Sequence, residues 1–361
     1  MTLRRATAAA VLVALVAACS GGDAAAPATL APTSPITAAA TTVQTTTVTT
    51  TTVTTSTAPV SAPTSSSAPP TTSVTPTTTP TTASTTAAEL APARYDALTI
   101  AAFELITDNL AVSVSVHRPG TEPWGLAAGW RNDGEPTTTD TPFVIASVSK
   151  LVTALSIARL VEQGELTVGD RVPWDAMGVA HDPAWDDVTV RELLDHTSGM
   201  PINRKSWLDD PGPCTVPLAA AMALPPELTR GEWTYSNGNY CALGLLVEHL
   251  TGESLDDAAY ELVFEPAGID GPYLSIDGTN ADAAPYAKGL ARLSRLGGAG
   301  SWLMSTDDLV TMLDHVTVDD LRVLRSPGII EDQYGWGHTG TLDGAKACAW
   351  VLDDGTTVAA V

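Results

Sequence analysis

The chain has 361 residues and a formal net charge of -23, with 41 Asp and Glu against 18 Lys and Arg. A surface of that sign repels polyphosphates, which argues against nucleic acid as a partner. The length would hold two average domains, but the first quarter is too poor in core-forming residues to contribute to either, leaving about 270 residues to fold.

Residues 1–19, MTLRRATAAAVLVALVAAC, place Arg4 and Arg5 before a run of Ala, Val and Leu that ends in small residues and Cys19. The apolar run is about thirteen residues long, shorter than a spanning helix, and reads as an export signal. Val16 to Cys19 resembles a bacterial lipobox. That resemblance implies a lipidated Cys19 at the start of the mature chain and an extracytoplasmic protein anchored to the bacterial cell membrane. An ordinary secretory signal with an incidental cysteine is the alternative. Residues 20–88 are almost entirely Thr, Ala, Ser, Pro and Val, with Asp23 the only charge, and cannot offset the entropy of ordering. They read as a disordered tether whose ends average roughly 45 Å apart and reach about 230 Å when extended. Its Thr-rich, Pro-punctuated composition is also a candidate for O-glycosylation.

Residues 89–361 are therefore the folded domain, and without Arg4, Arg5 and Asp23 they hold 16 basic and 40 acidic residues. A helix is expected over 93–110, where Leu98, Ala102, Leu105 and Ile106 fall at helical spacing. AVSVSVH, 111–117, alternates at period 2 and predicts a strand, with its hairpin partner over 124–130 after a turn at Pro119-Gly120. Leu151, Leu155 and Ala158 or Leu160 form one face of a helix ending at Gly164, and Tyr240, Leu243, Leu246, Val247 and Leu250 one face of another ending at Gly252. STDD, 305–308, predicts a capping box before a short helix to about His315. At the far end, Asp354-Gly355 joins two strand-like runs. The fold class is α+β: a mainly antiparallel sheet built from both chain ends, with a helical region inserted between them.

Cys214 follows a Pro-Gly-Pro turn and Cys241 lies near a helix start, so these two are the preferred disulfide, leaving Cys348 as a buried free thiol. His117, His181, His249 and His315 show no metal-ligand spacing, so no metal and no cofactor are expected. His196 reads as a loop residue with local hydrogen bonds. Asp186-Asp187 and Asp209-Asp210 read as solvated charges. Most tryptophans read as core, while Trp233 and Trp336 are placed to wall a pocket. No G-x-S-x-G elbow is present.

The chemistry concentrates in FVIASVSK, 143–150, where Ser147 and Lys150 stand at i and i+3 at a helix start. A serine hydroxyl needs a base to become a nucleophile, and an ammonium pressed into an apolar pocket loses proton affinity. The helix N-terminus adds partial positive charge where an oxyanion would develop. S-x-x-K alone is a weak signal, but Tyr235-Ser236-Asn237 and His338-Thr339-Gly340 follow in order, each once in the chain.

This order resembles the penicillin-recognising serine hydrolases, in the branch of class C beta-lactamases, serine D-alanyl-D-alanine carboxypeptidases and related esterases. LLDHTSGMP at 193–201, YSNGNYCALGLLVEHLTG at 235–252 and GGAGSWLMSTDDL at 297–309 look familial too. The resemblance implies a beta-lactamase/transpeptidase-like fold with Ser147 as acylated nucleophile and Lys150 and Tyr235 sharing proton transfer. Asn237 would bind the substrate amide and help hold Lys150. His338, Thr339 and Gly340 would line the sheet edge where a substrate carboxylate docks, and the Ser147 and Thr341 N–H groups would form the oxyanion hole. A small peptide, amide or ester is the expected substrate, a peptidoglycan stem peptide among the candidates, and the protein is expected to be a monomer. A neutral histidine anchors a carboxylate more weakly than lysine, which leans away from a dedicated beta-lactamase. Relatives follow the last strand with a long C-terminal helix, whereas this chain stops at VAAV. The sheet face is then covered by other segments or exposed, or the sequence is incomplete. The relatives' longer segment between the second and third motifs implies a more open cleft here. Two competing readings are a wall-binding lipoprotein that lost turnover and a structural tether or adhesin displayed on the stalk.

Overall fold

A computed structural model of the chain describes residues 111–201, 212–274, 282–286, 288–324, 329–332 and 335–361. The signal with Cys19, the tether, the helix expected over 93–110 and Asp209-Asp210 lie outside these residues. The strands are β1 (Val112–His117), β2 (Trp124–Ala128), β3 (Phe143–Val144), β4 (Tyr273–Leu274), β5 (Trp302–Met304), β6 (Ile330–Asp332), β7 (Gly335–Leu342), β8 (Ala345–Leu352) and β9 (Thr357–Ala360). The helices that matter for the site are α1 (Ser149–Gln163), α2 (Val190–Leu194), α3 (Thr215–Met222), α4 (Asn237–Thr251) and α5 (Thr306–Asp314).

Six strands form one sheet in the order β2-β1-β9-β8-β7-β6, with every neighbouring pair antiparallel. The N-terminal hairpin joins the C-terminal meander through β1 and β9, with Val114 opposite Ala360, so the sheet is built from both ends of the folded region. A small second sheet, β3-β5-β4, sits beside it. The alternation in β1 sorts residues as expected, but its polar face is not solvated. Ser113 and Ser115 are buried and bond Thr306 at the start of α5 at 2.6 and 2.8 Å. Hydroxyl pairs of this kind let a polar strand face pack under a helix without orphaned groups. The other face of the sheet holds Val114, Val116, Cys348, Val358 and Ala360, each at most 5% exposed, so it is covered rather than open.

α1 begins as a short 3-10 turn over Ala146–Val148 and then runs through the centre of the helical region. It is buried from Ser149 to Ala158, on more than the one face its spacing indicates. α1 ends at Gly164 and α4 at Gly252, both in the left-handed conformation that glycine adopts without strain. α4 is capped by Ser236, whose side chain accepts from the Gly238 N–H, and α5 by the capping box of Ser305 and Asp308. Trp174, Trp185 and Trp302 are core, and Trp336 is 5% exposed, so it does not wall a pocket; only Trp233 of the flanking pair reaches the surface. The reason is strand parity: Trp336 shares the inward face of β7 with His338.

Cys214 and Cys241 are joined, tying the start of α3 to the second turn of α4. Cys348 is also disulfide-bonded, which corrects the expected free thiol. It faces the same side of the sheet as Val114 and Val358, away from the helical core, and its partner lies outside the described residues.

The Cys214–Cys241 bridge closes a loop with a sequence separation of 27. Cys214→Ala with Cys241→Ala is expected to lower unfolding free energy by about 3.5 kcal/mol, the chain-entropy value for such a loop. Urea denaturation checks this, and a loss below about 1 kcal/mol would contradict it.

Candidate active site

The site forms where the turn before α1, the start of α4 and the edge of β7 converge. β6 pairs with β7 only over Gly335–Gly337, so β7 presents a strand edge from His338 to Leu342. That edge is pressed against the turn before α1. A Cβ on Gly340 would meet the Ile145 carbonyl oxygen at 2.2 Å, so no other residue fits without moving one of the two backbones. Ala146 takes φ +49 there, a left-handed conformation that costs a non-glycine residue about 1–3 kcal/mol. This kink sets Ser147 part-exposed in the cleft, with Ala146 and Val148 buried on either side of it.

Lys150, one turn on, is fully buried. Its Nζ lies 3.1 Å from Ser147 Oγ, 2.8 Å from Asn237 Oδ1 and 2.7 Å from the Ala299 carbonyl oxygen. The rings of Tyr235 and Tyr240 lie 4.9 and 5.6 Å from it. Tyr235 completes the group by donating its hydroxyl to Ser147 Oγ at 2.8 Å. Thus Ser147, Lys150, Tyr235 and Asn237, which the sequence spreads over 91 positions, share one connected set of hydrogen bonds.

Burial holds the Lys150 ammonium well below its ordinary proton affinity. A neutral amine has two N–H donors and one lone pair. Asn237 Oδ1 and the Ala299 carbonyl take the two donors, which leaves the lone pair toward Ser147. The third position of the nitrogen, facing Ser147 Oγ, is an N–H in the ammonium and the lone pair in the neutral amine, and only the neutral form can accept the Ser147 proton. Tyr235 moves the other way: burial pushes its phenol up, and the hydrogen bond with Ser147 opposes that only in part. It stays a protonated donor while Lys150 is available as a base.

His338 is placed on β7 with its ring 6.4 Å from that of Tyr235, and it is 3% exposed. Burial first, then the nearby Lys150, pushes it down to about 3, against an opposing bond to the Thr339 carbonyl. It is therefore neutral and beneath the cleft, not a cation at its surface. Thr339 is part-exposed and Thr341 exposed on the opposite face of the strand from His338. Lys346, paired across from Thr341 on β8, places its Nζ 3.4 Å from the Thr341 hydroxyl.

Several contributors carry no side-chain signature in the sequence. The Ala299 carbonyl is a backbone acceptor inside GGAGSW, and the carbonyl of its neighbour Gly298 accepts from Thr153 of α1 at 2.7 Å. Tyr240 reads as an apolar helix position yet also closes over Lys150. His196, expected to bond only locally, packs against Tyr235 at 4.6 Å.

A part-exposed serine joined to a buried lysine and a tyrosine, between a helix start and an antiparallel sheet edge, is an arrangement suited to a serine hydrolase. The Beta-lactamase family model matches residues 102–361. The chain belongs to that family. Penicillin-binding protein 4 of Amycolatopsis lactamdurans is 30% identical over 256 residues, covering 59% of this chain and 66% of that protein. A putative D-alanyl-D-alanine carboxypeptidase of Escherichia coli is 27% identical over 148 residues, covering 37% of this chain and 33% of that one. The crystal structure of SurE superposes with a TM-score of 0.60 at 26% identity, over 73% of this chain and 71% of that one. The chain spans less than two thirds of the length of the curated relatives named here.

Because Lys150 is depressed in the folded state, the unfolded chain binds one more proton between that value and about 10.4. Stability contributed by this position therefore rises with pH across that window, by up to about 1.4 kcal/mol per unit. Lys150→Met should abolish that rise and cut acylation by more than about 100-fold. Paired denaturation curves at pH 7 and 9 check it; identical pH slopes in the two proteins would show that Lys150 is protonated when folded.

Proposed function

We propose that this protein is an extracytoplasmic serine hydrolase that forms an acyl-enzyme at Ser147, acting as a D-alanyl-D-alanine carboxypeptidase-like penicillin-binding enzyme. The observation that carries the reading is Ser147 Oγ held between Lys150 Nζ at 3.1 Å and the Tyr235 hydroxyl at 2.8 Å. In the first step the Ser147 proton passes to the neutral Lys150 amine as Oγ attacks the substrate carbonyl. The charge on the carbonyl oxygen is met by the Ser147 and Thr341 N–H groups. Collapse breaks the carbonyl–leaving group bond, and the leaving amine takes a proton from Tyr235, which is refilled from Lys150. Water then attacks the ester, giving its proton to the same base, and Ser147 leaves with a proton restored.

In this reading Asn237 has two tasks, holding Lys150 through Oδ1 and hydrogen-bonding the substrate amide. The substrate carboxylate docks on the Thr339 and Thr341 hydroxyls beside Gly340, since neutral His338 offers no charge there. That same neutrality favours a second reading, an esterase whose substrate has no carboxylate. The connected geometry of Ser147, Lys150, Tyr235 and Asn237 counts against a wall-binding protein without turnover and against a purely structural tether.

The domain assignment is part of the proposal: 1–19 as lipoprotein signal, 20–88 as tether, 89–361 as hydrolase, with Cys19 lipidated and the enzyme held on the outer face of the cell membrane within reach of peptidoglycan stem peptides. The chain has four cysteines, and Cys214 and Cys241 hold each other.

Intact mass after incubation with a fluorescent penicillin tests the reading. A one-to-one adduct is expected in the wild type and none in Ser147→Ala, with an adduct lifetime of minutes or longer for a carboxypeptidase-like site. An adduct in Ser147→Ala, or none in the wild type, would contradict it; rapid loss of the adduct would indicate beta-lactamase turnover instead.

A further inference from the structure

His196 is engaged with the second motif from several directions at once. It follows α2 in a tight turn, is 1% exposed and has φ +57. Its carbonyl accepts the Thr234 N–H at 2.8 Å. Its Nδ1 lies 3.3 Å from the Ser236 N–H donor and 3.0 Å from Asn239 Nδ2. Its ring lies 4.6 Å from Tyr235, 5.2 Å from Tyr240 and edge-on to Trp233 at 6.5 Å. All four residues from Trp233 to Ser236 are thus referred to this one side chain and its carbonyl.

Accepting two N–H bonds at Nδ1 fixes the imidazole as neutral, with its proton on Nε2, which is buried without a hydrogen-bond partner. Protonated Nδ1 would be a donor facing two donors. The groups around the ring agree: Lys150 of α1 and His338 of β7 add to burial in holding His196 well below its ordinary value, and the neighbouring phenols of Tyr235 and Tyr240 stay protonated. The rest of the turn has partners of its own. The Thr197 carbonyl accepts the Gly231 N–H at 2.8 Å, and Ser198 Oγ donates at 2.6 Å to Oδ1 of Asn239, the amide whose Nδ2 faces the ring. The imidazole is therefore shared between the Tyr235 segment and Asn239 of α4.

We propose that neutral His196 is the positioning residue that keeps the Tyr235 hydroxyl within proton-transfer range of Ser147, acting through the Thr234–Ser236 backbone and the face of the phenol ring. This rests on the acyl-transfer reading given above. His196 touches neither nucleophile nor substrate; its effect passes through Tyr235.

A double-mutant cycle separates this from a role in folding alone. The rate of Ser147 adduct formation with the fluorescent penicillin is measured for the wild type, His196→Asn, His196→Ala, Tyr235→Phe and both double variants. Asparagine tolerates the left-handed backbone and keeps an acceptor near Nδ1, whereas alanine keeps neither. With Tyr235 present, adduct formation should slow about 100-fold for alanine and about 10-fold for asparagine, the scale of a small misplacement. In the Tyr235→Phe background both losses should shrink below about 3-fold, because nothing remains to be positioned. Equal losses in the two backgrounds, or no loss with Tyr235 present, would overturn the proposal. If the alanine variant does not fold, the asparagine pair decides by the same comparison. A wild type that forms no Ser147 adduct would overturn the acyl-transfer reading and this proposal together, whereas normal wild-type acylation with equal losses would overturn this proposal alone.

Discussion

The removal of the Lys150 amine from water is the constraint on which the site depends. An amine in that position keeps its charge only at a large desolvation cost, so burial lowers its proton affinity, while two carbonyl acceptors and two aromatic rings hold it in place. They come from two parts of the chain. Asn237 opens α4, Ala299 belongs to the segment before β5, and Tyr235 and Tyr240 flank and enter α4. α1 must therefore be central and buried on several faces, because a solvated helix would return Lys150 to water and to its ordinary proton affinity.

The same constraint explains features that otherwise look costly. Ala146 sits in a left-handed conformation, His196 does too, and the Nε2 atoms of His196 and His338 are buried without partners. Strain and unsatisfied polar atoms gathered around one serine are the usual mark of a site over-determined by its surroundings. The two imidazoles lie near Tyr235 at 4.6 and 6.4 Å, both neutral, so neither adds charge beside the amine. A lysine in place of His338 would put a cation beside the Lys150 amine or have to lose its own charge. The histidine leaves Lys150 as the single titrating amine of the group, and any carboxylate recognition falls to the part-exposed and exposed hydroxyls of Thr339 and Thr341.

Much of this was legible in the residues. Period-2 spacing marked β1, the Asp354-Gly355 turn marked the β8–β9 hairpin, and glycine stops marked the ends of α1 and α4, because these depend on local chemistry that recurs everywhere. The four side chains around Ser147 were legible because their types are restricted by reaction chemistry. What was not legible was whatever depends on tertiary placement. The Ala299 carbonyl is invisible because every residue has one. The alternation in β1 does not show that its serines meet Thr306. His338 read as a surface anchor, yet strand parity turns it inward. Cys348 read as unpaired because spacing alone does not show which thiols meet, yet it is disulfide-bonded.

The most direct test of the central claim is the titration of Lys150 itself. The chain has four lysines, Lys150, Lys205, Lys288 and Lys346, so side-chain-labelled lysine gives a spectrum simple enough to follow by NMR, with Lys150→Met supplying the assignment. One of the four signals is expected to titrate well below the ordinary lysine range of about 10.4 and to vanish in the variant. Four signals titrating together near that ordinary value would mean that Lys150 is charged in the folded protein, and its role as the base for Ser147 would have to be abandoned.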